Sequence, residues 1–172
     1  METIALPTLT RDGLVLRGPT MGDFDAYAEV LASPRSRGLN GPYTRADAWK
    51  DWCVSQAEWV MFGIGPLSIE VEGSFAGVIV ISHHPDFPEP ELGWVLTAAA
   101  EGKGIAAAAS RIYRDWAETR RPLSSLVSYI LPDNARAIAL AERLGAYRDD
   151  TAQRPWPTAT VYRYTTDLKR SR

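Results

Sequence analysis

The chain holds a single cysteine, Cys53, and only two histidines, His83 and His84, in 172 residues. One cysteine excludes an intrachain disulfide and fits a reducing compartment. Two adjacent histidines with no further histidine or second cysteine leave a zinc-type ligand set incomplete, so no metal site is expected. No stretch approaches the ~20 consecutive apolar residues that span a bilayer. Met1–Arg11 has neither the basic start nor the apolar run of a secretory leader. These absences point to a cytoplasmic protein with no membrane partner. An excess of one charge is also lacking: 19 basic residues face 21 acidic ones, for a net charge of −2. A dedicated nucleic-acid binder is not expected from that balance. The densely basic end, Lys169-Arg170-Ser171-Arg172, reads as a solvated tail, with 168–172 expected to be disordered.

What is present is ordinary globular composition, 45% hydrophobic and 23% charged. A chain of this length buries one substantial core, so 1–172 is expected to form one domain, as a monomer or homodimer. No internal repeat or low-complexity tract interrupts it.

Periodicity gives the element order. Gly13–Arg17 reads as a short strand. Thr20 followed by Asp23 is a helix-start signal, and Phe24, Tyr27, Ala28 and Leu31 then share one helical face. Thr44 and Asp47 repeat that signal ahead of a second helix with a stripe of Ala48, Trp52, Ser55 and Trp59. Cys53, within this tryptophan-rich stretch, is expected in the core, as are Trp49 and Trp116. Leu67, Ile69 and Val71 alternate with Ser68, Glu70 and Glu72, the pattern of a half-buried strand. Glu72-Gly73-Ser74 reads as a hairpin turn into Phe75–Ser82, a nearly all-apolar, central strand. His83–Pro90 is a proline-rich loop. Glu91–Leu96 is a strand, Gly104–Arg120 a helix, Ser124–Leu131 a strand, Asn134–Leu144 a helix closed by Gly145, and Thr158–Thr165 a final strand.

The segment Glu91–Ala107 carries the chemistry. A strand feeds a loop with Gly102 and Gly104, and the loop opens a long helix. Two glycines let successive backbone N–H groups turn toward one point. The helix start adds unpaired donors and its positive end, and Lys103 adds a full charge. A diphosphate is the natural guest of such a cradle. A glycine-rich turn with no ligand is the plainer reading. Gly102-Lys-Gly-Ile-Ala-Ala107 also fits a dinucleotide fingerprint, but too few β-α units follow for that fold.

Glu91-Leu-Gly-Trp-Val-Leu96, Glu101-Gly-Lys-Gly-Ile-Ala106, Pro132-Asp-Asn134 and Ala139-Leu-Ala-Glu-Arg-Leu-Gly145 together resemble the GNAT N-acetyltransferase superfamily. Leu14-Val-Leu-Arg17, Asp23 and Asn40-Gly-Pro-Tyr43 are similar to its ribosomal-protein N-terminal acetyltransferase branch. The resemblance covers nearly the whole chain. It implies an α/β domain with a mixed, twisted sheet of about 6–7 strands, flanked by about four helices, in which the fourth and fifth strands splay apart. It implies acetyl-CoA as co-substrate and an amine as acceptor. Trp94, Val95 and Leu96 would pair with pantetheine. Glu101, Gly102, Lys103, Gly104, Ile105 and Ala106 would form the diphosphate loop, and Asn134 would bond the pantetheine arm, cap the next helix, or do both. A strand N–H near Val95 or Leu96 would meet the developing oxyanion.

Two positions depart from the family pattern. Glu101 stands where glutamine or arginine is usual, and is expected to turn away from a diphosphate or to pair with Lys103. Ala141 stands where many members carry a tyrosine acid. Glu91 is the candidate general base, reached through water, or else a solvated strand-end glutamate. Tyr43, His83, His84 and Trp94 are candidates for the acceptor site, and Trp156 for its border or for an interface. The rival reading is a non-catalytic acyl-CoA-binding module of the same fold.

Overall fold

A computed structural model describes residues 5–165. The expected basic tail lies outside them. Eight strands form one sheet: β1 (Leu9–Arg11), β2 (Leu14–Arg17), β3 (Pro66–Val71), β4 (Ser74–Ser82), β5 (Glu91–Leu96), β6 (Val127–Ile130), β7 (Tyr147–Arg148) and β8 (Thr160–Arg163), in spatial order β1-β2-β3-β4-β5-β6-β8-β7. The helices are α1 (Met21–Ala32), α2 (Arg45–Phe62), α3 (Ile105–Arg120) and α4 (Ala135–Arg143), with short 3-10 turns at Pro34–Leu39 and Ala98–Ala100. The 6–7 strands read from the sequence become eight because β1 and β7 are only three and two residues long, too short to show a period.

Local chemistry sets these boundaries. Thr44 caps α2 by accepting the Asp47 N–H at 3.1 Å, and Asn134 caps α4 by accepting the Ala137 N–H at 3.2 Å. Gly63, at φ 66°, closes α2 in the left-handed conformation. Glu72 and Gly73, at φ 51° and 75°, form the hairpin turn between β3 and β4.

The sheet is covered on both faces. Phe24, Tyr27, Ala28 and Leu31 of α1 pack with Ala48 and Trp52 of α2 over Val78. On the other face Ala109, Ile112 and Tyr113 of α3 and Ala141 of α4 join Leu16, Leu67, Ile69, Ile79, Ile81 and Leu92. This double cover explains why β3 is not half-buried as its alternation suggested: Ser68 is buried too, donating to the Asp23 carboxylate at 2.9 Å. Arg17 grips Asp23 with two N–H groups, at 2.8 and 2.9 Å, and Glu70 with a third at 2.7 Å. Burial would raise the Asp23 pKa, but Arg17, the Thr20 N–H and Ser68 hold it at about 2.

Two core expectations are corrected. Cys53 is exposed, and Trp49 is 43% exposed. The two lie one turn apart on α2, flanking the buried stripe of Ala48, Trp52 and Trp59, with Trp49 edge-on to Phe24 at 5.0 Å. Trp116 is part-buried against the core. No helix among the described residues is long and apolar enough to cross a membrane.

Candidate active site

Among the described residues seven strand pairs form the sheet; only β5 and β6 run parallel, and they share a single register pair, Glu91 with Val127. The Val127 N–H donates to the Pro90 carbonyl at 3.0 Å, and the ladder then stops. In a continuing parallel ladder the next bond would run from the Tyr129 N–H to the Leu92 carbonyl. Two side chains take those groups instead. The Glu91 carboxylate accepts the Tyr129 N–H at 3.3 Å, and the Ser128 hydroxyl donates to the Leu92 carbonyl at 2.5 Å. Ser128 is itself 3.0 Å from the buried Tyr164 hydroxyl. The strands therefore diverge above a floor that is fully hydrogen-bonded.

The divergence opens a cleft of about 470 Å³. One wall is β5, from Glu91 to Leu96, continuing into Ala100, Glu101, Gly102, Gly104, Ile105 and Ala106. Opposite stand Ser128–Leu131, Asn134, Arg136 and the inner side of α4, while Arg35, Ser36, Gly38 and Leu39 of the first 3-10 turn lean over the mouth. Strand alternation decides which backbone groups face the gap. The Pro90 carbonyl faces β6 and the Thr97 N–H donates to Ala76 beside β4, so the peptide groups of Trp94 and Leu96 face the gap and those of Val95 face β4.

The loop before α3 has the expected form. Gly102 and Gly104 have φ of 73° and 77°, and a Cβ built at either meets nothing within 4 Å. Their need for glycine is conformational rather than steric. Asn134 accepts with Oδ1 at the α4 cap, while its Nδ2 sits beside Gly38 at the cleft. The cap half of its expected role is therefore present, and the amide nitrogen is left at the cleft.

Glu101 corrects one expectation. It pairs with two arginines rather than with Lys103: Arg35 bonds one oxygen, and Arg136 bonds both, at 2.9 and 3.2 Å. Burial would raise its pKa, but the two guanidiniums hold it below the usual carboxylate range. Lys103 does not line the cleft.

Glu91 is the one sequence-picked base candidate that does. Desolvation pushes its pKa up to about 7, the Tyr129 N–H pulls it down, and the charge of Glu58 adds a further rise. Glu58, on α2, carries no local sequence signal of a site residue. It is buried, and accepts from Ser82 Oγ at 2.8 Å and the His83 N–H at 3.2 Å. Ser82 is the direct cross-strand neighbour of Glu91.

The remaining candidates lie outside the cleft or on another side of it. Trp94 lines it, but its ring packs toward α3 and α4, on the face of β5 opposite Glu91. Tyr43 packs on the α1–α2 core, and its hydroxyl donates to the Leu39 carbonyl, fixing the turn over the mouth. His83 stacks on Phe62 with ring centres 4.9 Å apart, and His84 lies 4.8 Å from Phe87. Trp156 joins Phe87 and Tyr129 in a mutual cluster with centre distances of 5.4, 5.8 and 6.1 Å. Ala141, at the position of the missing tyrosine, is fully buried. Among the described residues no group of three or more histidine, cysteine or acidic side chains is placed to hold a metal.

A sheet splayed at one parallel pair, with a glycine loop and helix start at the mouth of the splay, matches what known proteins show. The acetyltransferase (GNAT) domain family matches residues 13–147. The chain belongs to the GNAT acetyltransferases. An acetyltransferase from Agrobacterium tumefaciens is 45% identical, with 94% of this chain and 95% of that chain covered at a TM-score of 0.90. The acetyltransferase from Salmonella typhimurium that modifies the N-terminal serine of ribosomal protein L7/L12 shares the fold at a TM-score of 0.73 and 15% identity, over 92% of this chain and 97% of that one. A ribosomal L7/L12 alpha-N-protein acetyltransferase in complex with coenzyme A aligns at a TM-score of 0.75 and 16% identity, over 94% and 99% of the two chains. The branch resemblance read from the sequence is thus matched at the level of fold by ribosomal-protein acetyltransferases.

Proposed function

We propose that this GNAT protein transfers the acetyl group of acetyl-CoA to a primary amine, on a protein N-terminus or a small molecule, by direct attack on the thioester. The observation that carries this reading is the placement of Glu91: a desolvated carboxylate at the floor of the cleft whose mouth is the Gly102–Gly104 loop. A structural relative that holds coenzyme A supports the choice of donor.

The chain's residues fit that substrate pair. The N–H groups of the loop and the α3 start would hold the diphosphate. The outward peptide groups of Trp94 and Leu96 would pair with pantetheine, and Asn134 Nδ2 would donate to it. A gap-facing N–H, from Trp94 or Leu96 rather than from Val95, would stabilise the oxyanion as the acceptor nitrogen bonds to the carbonyl carbon. Glu91, deprotonated above about 7, takes the ammonium proton through water. The departing thiolate is protonated from solvent, since Ala141 supplies no hydroxyl. Holding both substrates in one cleft lowers the barrier further; well-oriented cases reach ~7–11 kcal/mol.

The test is a titration with acetyl-CoA followed by assay of free thiol release across a panel of peptides and small amines. Thiol release with one class of amine names the acceptor. Binding without release from any amine identifies an acyl-CoA-binding module instead, and no binding removes both readings.

A further inference from the structure

Glu101 stands beside the loop proposed to hold a diphosphate, which is a poor place for a lone carboxylate. It is not alone. Arg35 reaches it from the turn over the cleft mouth and Arg136 from the first turn of α4. Three features of this triad need explaining. First, two full positive charges converge on one negative charge. Second, Arg136 occupies the positive end of α4, where a cation is opposed by the helix dipole. Third, all three side chains line the same cleft as Gly102, Gly104 and Asn134. A bidentate, three-charge network of this kind adds some stability to the fold, but that does not explain why it is built at the mouth of the cleft with an excess of positive charge. Two planar guanidinium forks aimed at one point do match a phosphate group.

We propose that Arg35 and Arg136 are phosphate-binding residues for the nucleotide half of the cofactor, and that Glu101 is an internal counter-anion that holds them in place until phosphate arrives. On entry, the guanidiniums exchange the single carboxylate charge for the greater charge of the phosphates. Arg35 sits in Pro34–Leu39, so the exchange also loosens one tie of that turn across the mouth. The other tie, Arg37 to Asp133 at 2.8 Å, lies on exposed side chains and is untouched. The inference rests on the proposed use of acetyl-CoA and extends it to residues that belong to no part of the glycine loop.

The experiment is calorimetric titration of acetyl-CoA, dephospho-CoA and pantetheine into wild type, Arg35→Gln, Arg136→Gln, Glu101→Gln and the control Arg37→Gln, at two salt concentrations. Arg35→Gln and Arg136→Gln should each weaken acetyl-CoA binding about tenfold and flatten its salt dependence. They should leave pantetheine, which has no phosphate, unchanged. Glu101→Gln should tighten acetyl-CoA severalfold, and Arg37→Gln should match wild type. If dephospho-CoA shows the same losses, the diphosphate is the partner; if its losses vanish, the 3′-phosphate is. Wild-type affinity and salt slope in both arginine variants would overturn the inference, as would a clear loss of affinity in Glu101→Gln. A wild-type protein that binds no acetyl-CoA would instead remove the proposed function itself.

Discussion

The Glu91 carboxylate accepts the Tyr129 N–H at 3.3 Å, on the strand pair where the parallel ladder ends. One side chain therefore closes the floor of the cleft and is also the proton acceptor proposed above. In the proposed mechanism this would link stability to catalysis, because the carboxylate is held where charge is disfavoured.

Glu91→Gln should lower kcat by ~10²–10⁴-fold with little change in acetyl-CoA affinity. The wild-type rate should rise with pH through about 7, where Glu91 loses its proton. The variant should lack that rise, and its deficit should shrink at high pH as free amine becomes plentiful. A kcat equal to wild type across that range would remove Glu91 from the mechanism.

The same substitution has a stability signature of opposite sign. Glu91 titrates near 7 when folded and near ~4.3 when unfolded, so the native state binds more protons between those values. Wild-type stability should fall as pH rises through that window, by on the order of 3 kcal/mol. Chemical denaturation at pH 5 and pH 8 should show this fall in wild type and a smaller one in Glu91→Gln.

Acetyl-CoA should raise the Tm of wild type, and Gly104→Val should fold but lose that rise. A β-branched residue at φ 77° is strained, at roughly 1–3 kcal/mol, although the space around it is open. Relaxation of that strain would turn the loop N–H groups away from the diphosphate. Calorimetric scans with and without cofactor decide it. A variant with unchanged affinity would place the diphosphate elsewhere.

Asn134 allows its observed cap and its proposed cofactor contact to be separated. Asn134→Asp keeps an oxygen for the α4 cap but replaces the Nδ2 donor with a charge, so acetyl-CoA affinity should fall while Tm holds. Asn134→Ala should lose both, with a stability cost of about 1 kcal/mol. Equal affinity in Asn134→Asp and wild type would leave the residue as a cap alone.

Asp23→Asn should destabilise the fold by about 3 kcal/mol, because it leaves the buried end of Arg17 with only Glu70 as a charged partner. In wild type the Asp23 pKa is depressed to about 2, so its contribution is complete above ~4 and fades as pH falls toward 2. An acid titration of Tm should show this step in wild type and not in the variant.

Much of this fold is legible in the chain because its main elements announce themselves locally. Thr44, Asn134 and Gly145 mark ends, the β3–β4 hairpin shows its turn residues, and the loop of Gly102 and Gly104 stands between a strand and a helix. The buried Ser68 is not legible, because the partner that satisfies it, Asp23, comes from another element. Glu58 and Ser128 are missed for the same reason: each is an ordinary polar residue until the sheet brings Ser82 or Leu92 to it. Arg136 carries a signal, a cation at a helix start, but its partner Glu101 lies 35 residues away and is brought beside it only by the fold.

Cys53 gives α2 a practical property. It is the one thiol in the sequence, it is exposed, and it does not line the cleft. A maleimide fluorophore would therefore label the protein at one defined point while leaving the cleft-lining residues unmodified. The same thiol also sets a correction in any assay that counts released coenzyme A with a disulfide reagent: each chain adds one equivalent of colour before turnover begins.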